Sequence, residues 1–150
     1  MIHAQTPARR WDDRTRDGRG VHFGRTEHMT RDRPERATVL VVEDEWLIAT
    51  AIAHDLQSLD CRVLGPAPSV AVARALLEDE VPQAALLDIR LGRETVFALA
   101  DLLADRKVPF AFLTAFTRDD LPPRFADCPL LTKPLGGGAL KAEVAALLWP

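Results

Sequence analysis

The sequence contains no tyrosine and only two cysteines. Cys61 and Cys128 form no CxxC pair and have no histidine nearby, so the pattern favours neither a disulfide framework nor a thiolate metal centre. No run of about 18 apolar residues occurs, which argues against a membrane span, and the first residues lack the apolar segment of a signal peptide. We therefore expect a reduced, soluble, cytoplasmic protein with no membrane contact.

Charge is divided unevenly along the chain. Residues 1–36 hold nine arginines against six acids, whereas residues 37–150 hold ten Lys and Arg against sixteen acids. The first part shows neither helical nor strand periodicity, and we expect it to be a disordered N-terminal extension. Met29 stands shortly before the first predicted strand, so the stretch before it can also be a misassigned start of translation. The acidic remainder, residues 37–150, is predicted to form one domain and does not indicate nucleic-acid binding.

Short apolar runs alternate with helical patterns from Thr38 onward. The runs have the length and bulk typical of strands that are buried on both faces of a parallel sheet. Five strands are predicted, at residues 38–42, 62–64, 84–87, 110–113 and 130–132.

Helices are predicted after the first three strands. Asp44 is expected to cap the first of them. Residues 65–69 are predicted to be a loop that ends at Ser69, the N-cap of the second helix. Glu94 is expected to lie in the acidic first turn of the third helix.

The fourth helix is predicted to be short, because Pro122-Pro123 leaves room for only about one or two turns. The last helix is expected to follow a flexible run of three glycines, residues 136–138. The order of elements indicates an α/β fold of the flavodoxin-like (βα)5 type. This is a doubly wound parallel sheet with strand order 2-1-3-4-5.

Polar residues stand where the apolar runs end, which is the ligand-binding edge of such a sheet. Glu43-Asp44 follow the first run, Asp88 the third, Thr114 the fourth and Lys133 the fifth. Oxygen ligands without thiolates or imidazoles suit Mg²⁺ or Mn²⁺ rather than zinc. With a divalent ion beside it, the Asp88 carboxylate can attack a phosphorus atom to form an acyl phosphate. Thr114 and Lys133 can then bind the phosphoryl oxygens.

These residues lie in motifs that resemble those of response-regulator receiver domains, over residues 37–150. The motifs are Val41-Val42-Glu43-Asp44-Glu45, Leu86-Leu87-Asp88-Ile89, Leu113-Thr114-Ala115 and Thr132-Lys133-Pro134. The stretch from Pro109 to Phe116 and the proline-broken fourth helix further resemble the FATGUY-type single-domain regulators.

The resemblance implies a phosphorylation-dependent switch or phosphorelay intermediate. Asp88 would accept a phosphoryl group from a histidine kinase or a histidine phosphotransfer protein. Asp44 would bind Mg²⁺ directly and Glu43 through water, and the backbone carbonyl of Arg90 would complete the protein ligands. Such a domain catalyses only its own phosphorylation and dephosphorylation, so it is not an enzyme in the usual sense. Because the last predicted helix ends near Trp149, we expect output through a separate, unidentified protein.

The resemblance also implies how arrival of the phosphoryl group is reported. Thr114 and Lys133 would hold it, and the peptide bond before Pro134 would be cis. Many receivers carry Tyr or Phe three residues before the lysine, as an aromatic switch; here that position is Leu130. The signal is therefore expected to travel from Thr114 through the following loop and the short fourth helix.

A second departure concerns access of water to the phosphoryl group. The positions that control this access in receivers are Arg90, two residues after Asp88, and Phe116, two residues after Thr114. A cationic and a bulky side chain there predict a long-lived acyl phosphate.

Other interpretations stay open at this point. Acids at a helix start can serve only as caps, and a receiver-like fold can act as an adaptor that is never phosphorylated. A phosphohydrolase with an aspartyl nucleophile on another α/β fold is less favoured. Its DxDxT-like acid would be expected after the first strand, whereas Asp88-Ile89-Arg90 follows the third. The clustering of four polar strand ends at one edge favours the phosphoacceptor.

Overall fold

The computed structural model describes residues 35–115 and 118–150, in which the long strands alternate with helices. The strands are β1 (Thr38–Val42), β2 (Arg62–Ala67), β3 (Ala84–Asp88), β4 (Arg90–Leu91), β5 (Glu94–Thr95), β6 (Phe110–Thr114) and β7 (Leu130–Thr132). The helices are α1 (Trp46–Ser58), α2 (Val70–Asp79), α3 (Phe97–Asp105) and α4 (Gly137–Leu148). Two short 3₁₀ helices, Arg118–Asp120 and Pro123–Phe125, lie between β6 and β7.

Five strands form one parallel sheet in the order β2-β1-β3-β6-β7. Counting only these five strands along the chain, this is the predicted order 2-1-3-4-5, so the flavodoxin-like α/β fold is confirmed. The order places β1 beside β3, at the point where the strand sequence reverses direction and where such sheets bind their ligands.

Helices cover both faces of the sheet, which explains why its central strands are apolar over most of their length. Leu40 and Val42 of β1 pack in one buried cluster with residues of α2 and α3. Val39 and Val41 point to the opposite face and pack with residues of α1 and α4. Alternate side chains of one strand thus serve two separate cores, as expected for a strand buried on both sides.

The second strand is longer than predicted, and the prediction of a loop from residue 65 was wrong. Arg62–Ala67 pairs with β1, with a register shift between Leu40 and Val42. Gly65 makes the irregular strand feasible: its φ is +99°, and a Cβ atom there would lie 2.7 Å from the nitrogen of Ala67. The N-cap prediction was correct, since the Ser69 side chain accepts a hydrogen bond from Val72 N at 3.2 Å.

Two predictions about helix starts were wrong. Asp44 does not cap α1: Glu45 is its N-cap residue, without a side-chain capping bond, and Asp44 accepts a hydrogen bond from Gly92 N instead. Glu94 does not lie in the first turn of α3, because residues 90–95 pair with each other as the β4–β5 hairpin and the helix begins only at Phe97.

The glycine run also differs from its prediction, since α4 begins at Gly137 and includes two of the three glycines. The first turn of a helix needs no intrahelical partner for its N–H groups, so these residues can enter the helix. The short fourth helix is confirmed as the two 3₁₀ turns. The N-terminal extension over residues 1–36, apart from its last two residues, and Phe116 lie outside the described residues.

Candidate functional site

The carboxyl ends of neighbouring strands bring the predicted site residues to one edge of the sheet. Glu43 follows β1, Asp88 ends β3, Thr114 ends β6 and Lys133 follows β7. Backbone hydrogen bonds fix two of them at this edge: Glu43 N donates to Ala67 O at 3.0 Å, and Lys133 N donates to Thr114 O at 2.8 Å. The longer β2 therefore helps to position Glu43.

One ammonium group bridges two carboxylates at this edge. Lys133 Nζ lies 2.7 Å from Glu43 Oε2 and 3.1 Å from Asp88 Oδ2. The side chains of Glu43, Asp88 and Lys133 are 0%, 10% and 14% exposed, respectively. Two buried carboxylates without this cation would be strongly disfavoured, so the ion pairs with Lys133 offset the cost of burying both side chains.

Burial and the ion pairs set the protonation of this group. Burial raises the pKa of Glu43, against the opposing effect of its hydrogen bond from Lys133. Burial by itself would lower the pKa of Lys133, but the carboxylates of Glu43 and Asp88 outweigh it and the pKa is raised overall. Lys133 therefore carries its positive charge at neutral pH.

Three carboxylates lie close enough together to hold a cation. One oxygen each of Glu43, Asp44 and Asp88 lies within 4.8 Å of the others. With all three ionised and Lys133 charged, the group has a formal charge of −2. Hard oxygen donors with this charge fit a divalent ion of the Mg²⁺ type, and among the described residues this group of possible ligands includes no thiolate or imidazole that would favour zinc.

The remaining predicted residues lie around this group. Thr114 is buried at the end of β6, on the far side of Asp88 from β1. Arg90 begins the β4–β5 hairpin, so its backbone lies two residues after Asp88. Leu130 is half-buried and packs against the apolar cluster beneath the sheet edge. The prediction of a cis peptide bond before Pro134 is confirmed.

Sequence reasoning missed the contribution of the hairpin. Gly92 N donates a hydrogen bond to Asp44 Oδ2 at 3.0 Å, and Glu94 Oε1 accepts one from Val70 N at 3.0 Å. The pattern offers one signal for the turn, a glycine four residues after Asp88. Nothing in the sequence indicates which acid the turn would contact.

Comparisons with known proteins find similar solved structures. No protein-family profile matches the chain. The fold is similar to that of SdrG from Sphingomonas melonis Fr1, with 38% identity and a TM-score of 0.68, covering 77% of this chain and 99% of SdrG. It is also similar to the PhyR response regulator REC domain from Erythrobacter litoralis, with 28% identity and a TM-score of 0.65, covering 76% of this chain and 91% of that domain.

A curated relative is similar over part of its length. The transcriptional regulatory protein PdtaR of Mycobacterium tuberculosis is 31% identical over 90 residues, which is 59% of this chain. The match spans 44% of PdtaR, so this chain corresponds to less than half of that protein. Placement in the FATGUY-type branch stays a prediction.

In the part of the chain that the structure describes, no helix is both long and apolar enough to cross a membrane. The sheet order, the ends of its strands and the near-complete coverage of SdrG show that the chain belongs to the receiver domains of response regulators.

Proposed function

We propose that this chain accepts a phosphoryl group on Asp88, from a histidine kinase or a histidine phosphotransfer protein, in a reaction that requires Mg²⁺. It would act as a signalling switch or as an intermediate in a phosphorelay, with a separate protein as the downstream partner. The observation that carries this proposal is the bridge of Lys133 between Glu43 and Asp88, with Asp44 close enough to share a cation. A purely structural acid at a strand end would need no such arrangement.

The residues have distinct roles in the proposed reaction. An oxygen of Asp88 attacks phosphorus, forming an O–P bond as the P–N bond to the donor histidine breaks. Lys133 moves from Asp88 to a phosphoryl oxygen and keeps its ion pair with Glu43, and the Thr114 hydroxyl donates to another oxygen. Glu43, Asp44, Asp88 and the Arg90 carbonyl would hold Mg²⁺, which supplies positive charge that neutralises the phosphoryl oxygens.

Output would use the segment between β6 and β7 instead of an aromatic switch. Leu130 packs in an apolar cluster and has no ring to turn inward, and the chain has no tyrosine. The segment follows Thr114, and its described part, from Arg118 onward, contains two 3₁₀ turns. These turns could therefore rearrange while β6 and β7 stay paired. Phosphorylation would thus shift this segment between two packed states.

Phosphorylation by acetyl phosphate tests the proposal directly. We expect wild-type protein with Mg²⁺ to gain the mass of one phosphoryl group, and Asp88→Asn to gain none, because the amide is not a nucleophile of this kind. Asp79→Asn, at the last residue of α2, is the matched control and should be phosphorylated like wild type. Added mass that persists in Asp88→Asn would contradict the assignment.

Fluorescence separates the proposal from the other classes. Trp46 is 71% exposed and lies two residues after Asp44, so Mg²⁺ and beryllofluoride should change its emission in wild type and not in Asp88→Asn. Trp46→Phe identifies the signal against those of Trp11 and Trp149. Failure to bind either ligand would favour an unphosphorylated adaptor, and multiple turnover of a phosphoester would favour a phosphohydrolase.

A further inference from the structure

A small hairpin follows the proposed phosphoacceptor directly. β4 and β5 pair antiparallel, with Arg90 opposite Thr95 and Leu91 opposite Glu94. Leu91 is 4% exposed and anchors the hairpin in the apolar core. The hairpin is therefore a defined element of the structure.

Two hydrogen bonds connect the hairpin to parts of the chain that are distant in sequence. At its turn, Gly92 N donates to Asp44 Oδ2 at 3.0 Å, across 48 residues. On its second strand, Glu94 Oε1 accepts from Val70 N at 3.0 Å, at the start of α2. The hairpin thus links the acidic group to the beginning of a helix that contributes no residue to that group.

Asp44 differs from the other two acids in how it is held. Glu43 and Asp88 are buried and contact Lys133, whereas Asp44 is exposed. An exposed carboxylate exchanges among rotamers unless a donor fixes it, and a hydrogen bond from a backbone N–H to an ionised carboxylate is one of the stronger kinds. Because this bond uses Oδ2, the other oxygen of Asp44 is left to contact a cation.

We propose that the hairpin orients Asp44 for cation binding, with Gly92 and Glu94 as positioning residues. This inference rests on the proposed function, since it concerns the same cation. Gly92 acts through its amide, which the left-handed backbone (φ +63°) directs at Asp44. Glu94 acts one step further away, by holding the hairpin against the N-terminus of α2. Neither residue would touch the metal or the phosphoryl group.

Substitutions at Gly92 can alter the backbone without creating a clash, because a Cβ atom there would meet nothing within 4 Å. Gly92→Val disfavours the left-handed conformation and should displace the amide. Gly92→Asn is the matched control, since asparagine tolerates this conformation and keeps the N–H. In a Mg²⁺ titration followed by Trp46 fluorescence, we expect Gly92→Val to bind about tenfold more weakly, equivalent to about 1.4 kcal/mol, and Gly92→Asn to bind like wild type.

Glu94 provides a second variant that leaves the turn intact. Glu94→Ala removes the acceptor for Val70 N and should weaken Mg²⁺ binding less than Gly92→Val does. Glu94→Gln keeps an acceptor oxygen and should restore the affinity. If circular dichroism shows that Gly92→Val does not fold, the difference between Glu94→Ala and Glu94→Gln decides the question.

Hydrogen exchange tests the bond without any metal. The Gly92 amide should exchange slowly in metal-free wild type and faster in Asp44→Ala, because its acceptor is lost. An exchange rate unchanged in Asp44→Ala would overturn the inference, as would equal Mg²⁺ affinity in wild type, Gly92→Val and Glu94→Ala. A wild-type protein that binds no Mg²⁺ would instead overturn the proposed function, which distinguishes the two failures.

Discussion

Two regions of the domain are held in opposite ways. The acidic cluster, defined as Glu43, Asp44, Asp88 and Lys133, combines two buried carboxylates and a largely buried ammonium group with the exposed carboxylate of Asp44. The aromatic anchor is defined as Phe125 of the second 3₁₀ turn together with the rings it contacts. Those rings belong to Phe97, Phe110 and Phe112, with centroids 5.3–6.1 Å from that of Phe125.

This contrast indicates which residues stabilise the fold and which serve the proposed chemistry. Buried ion pairs often stabilise a fold no more than apolar groups of the same size would, because each charge loses its hydration. Burial of an aromatic ring, by contrast, is among the largest stabilising contributions of a single side chain. We infer that the aromatic anchor holds the segment between β6 and β7 in place, whereas the acidic cluster is kept for its reactivity.

Truncating the ring of the aromatic anchor should have the largest effect on stability. Phe125 is 3% exposed and contacts three other rings, so Phe125→Ala leaves a cavity and should lower the free energy of unfolding by about 3–5 kcal/mol. Urea denaturation measures this, with Phe125→Leu as a control that retains more of the volume. A loss below that of Glu43→Gln would reverse the comparison.

The sequence predicts the main sheet well because burial on both faces leaves a simple pattern. The apolar runs of β1 and β7 match the observed bounds, and β3 and β6 each extend by one polar residue, Asp88 and Thr114. The prediction ended the second strand at Leu64, because Gly65-Pro66 is typical of a loop. There the tertiary pairing with β1 outweighs the local preference.

The acidic cluster was predictable for a related reason. Parallel strands end at one edge, so Glu43, Asp88 and Lys133 had to meet once the strand order was known. The sequence did not predict that Asp44 would accept its hydrogen bond from Gly92, because that contact depends on a turn 48 residues away. Local capping statistics favoured a helix cap for Asp44, and the tertiary contact replaces it.

Removing the ionisable group of Glu43 should change the free energy of unfolding by less than truncating Phe125 does. The pKa of Glu43 is raised above its ordinary value of 4.5, chiefly by burial, so the folded state binds more protons than the unfolded state just above that pH. Ionisation of Glu43 therefore reduces the free energy of unfolding as pH rises through this window. Glu43→Gln cannot ionise and should lose this dependence.

The measurement compares the two proteins without metal. Urea denaturation of wild type and Glu43→Gln from pH 4 to pH 7 gives the difference in free energy of unfolding at each pH. We expect wild type to lose stability relative to the variant as pH rises. A difference that is constant, or that changes in the opposite direction, would show that burial of this carboxylate is compensated within the acidic cluster.

The smallest effect should come from the ion pair beside the aromatic anchor. Arg124 contacts Asp101 through two hydrogen bonds of 2.8 and 3.0 Å, and its guanidinium lies 4.6 Å from the centre of the Phe125 ring. Both charged side chains are about half exposed, so water and salt screen their attraction. We expect a double-mutant cycle with Arg124→Ala and Asp101→Ala to give a small coupling, which decreases further at 1 M salt, where the screening length is about 3 Å. Arg124→Lys keeps the charge but loses the paired geometry and isolates its contribution. Because the cycle cancels the packing of Arg124 on Phe125, a coupling comparable to the loss in Phe125→Ala would mean that charge, and not the ring, fixes this segment.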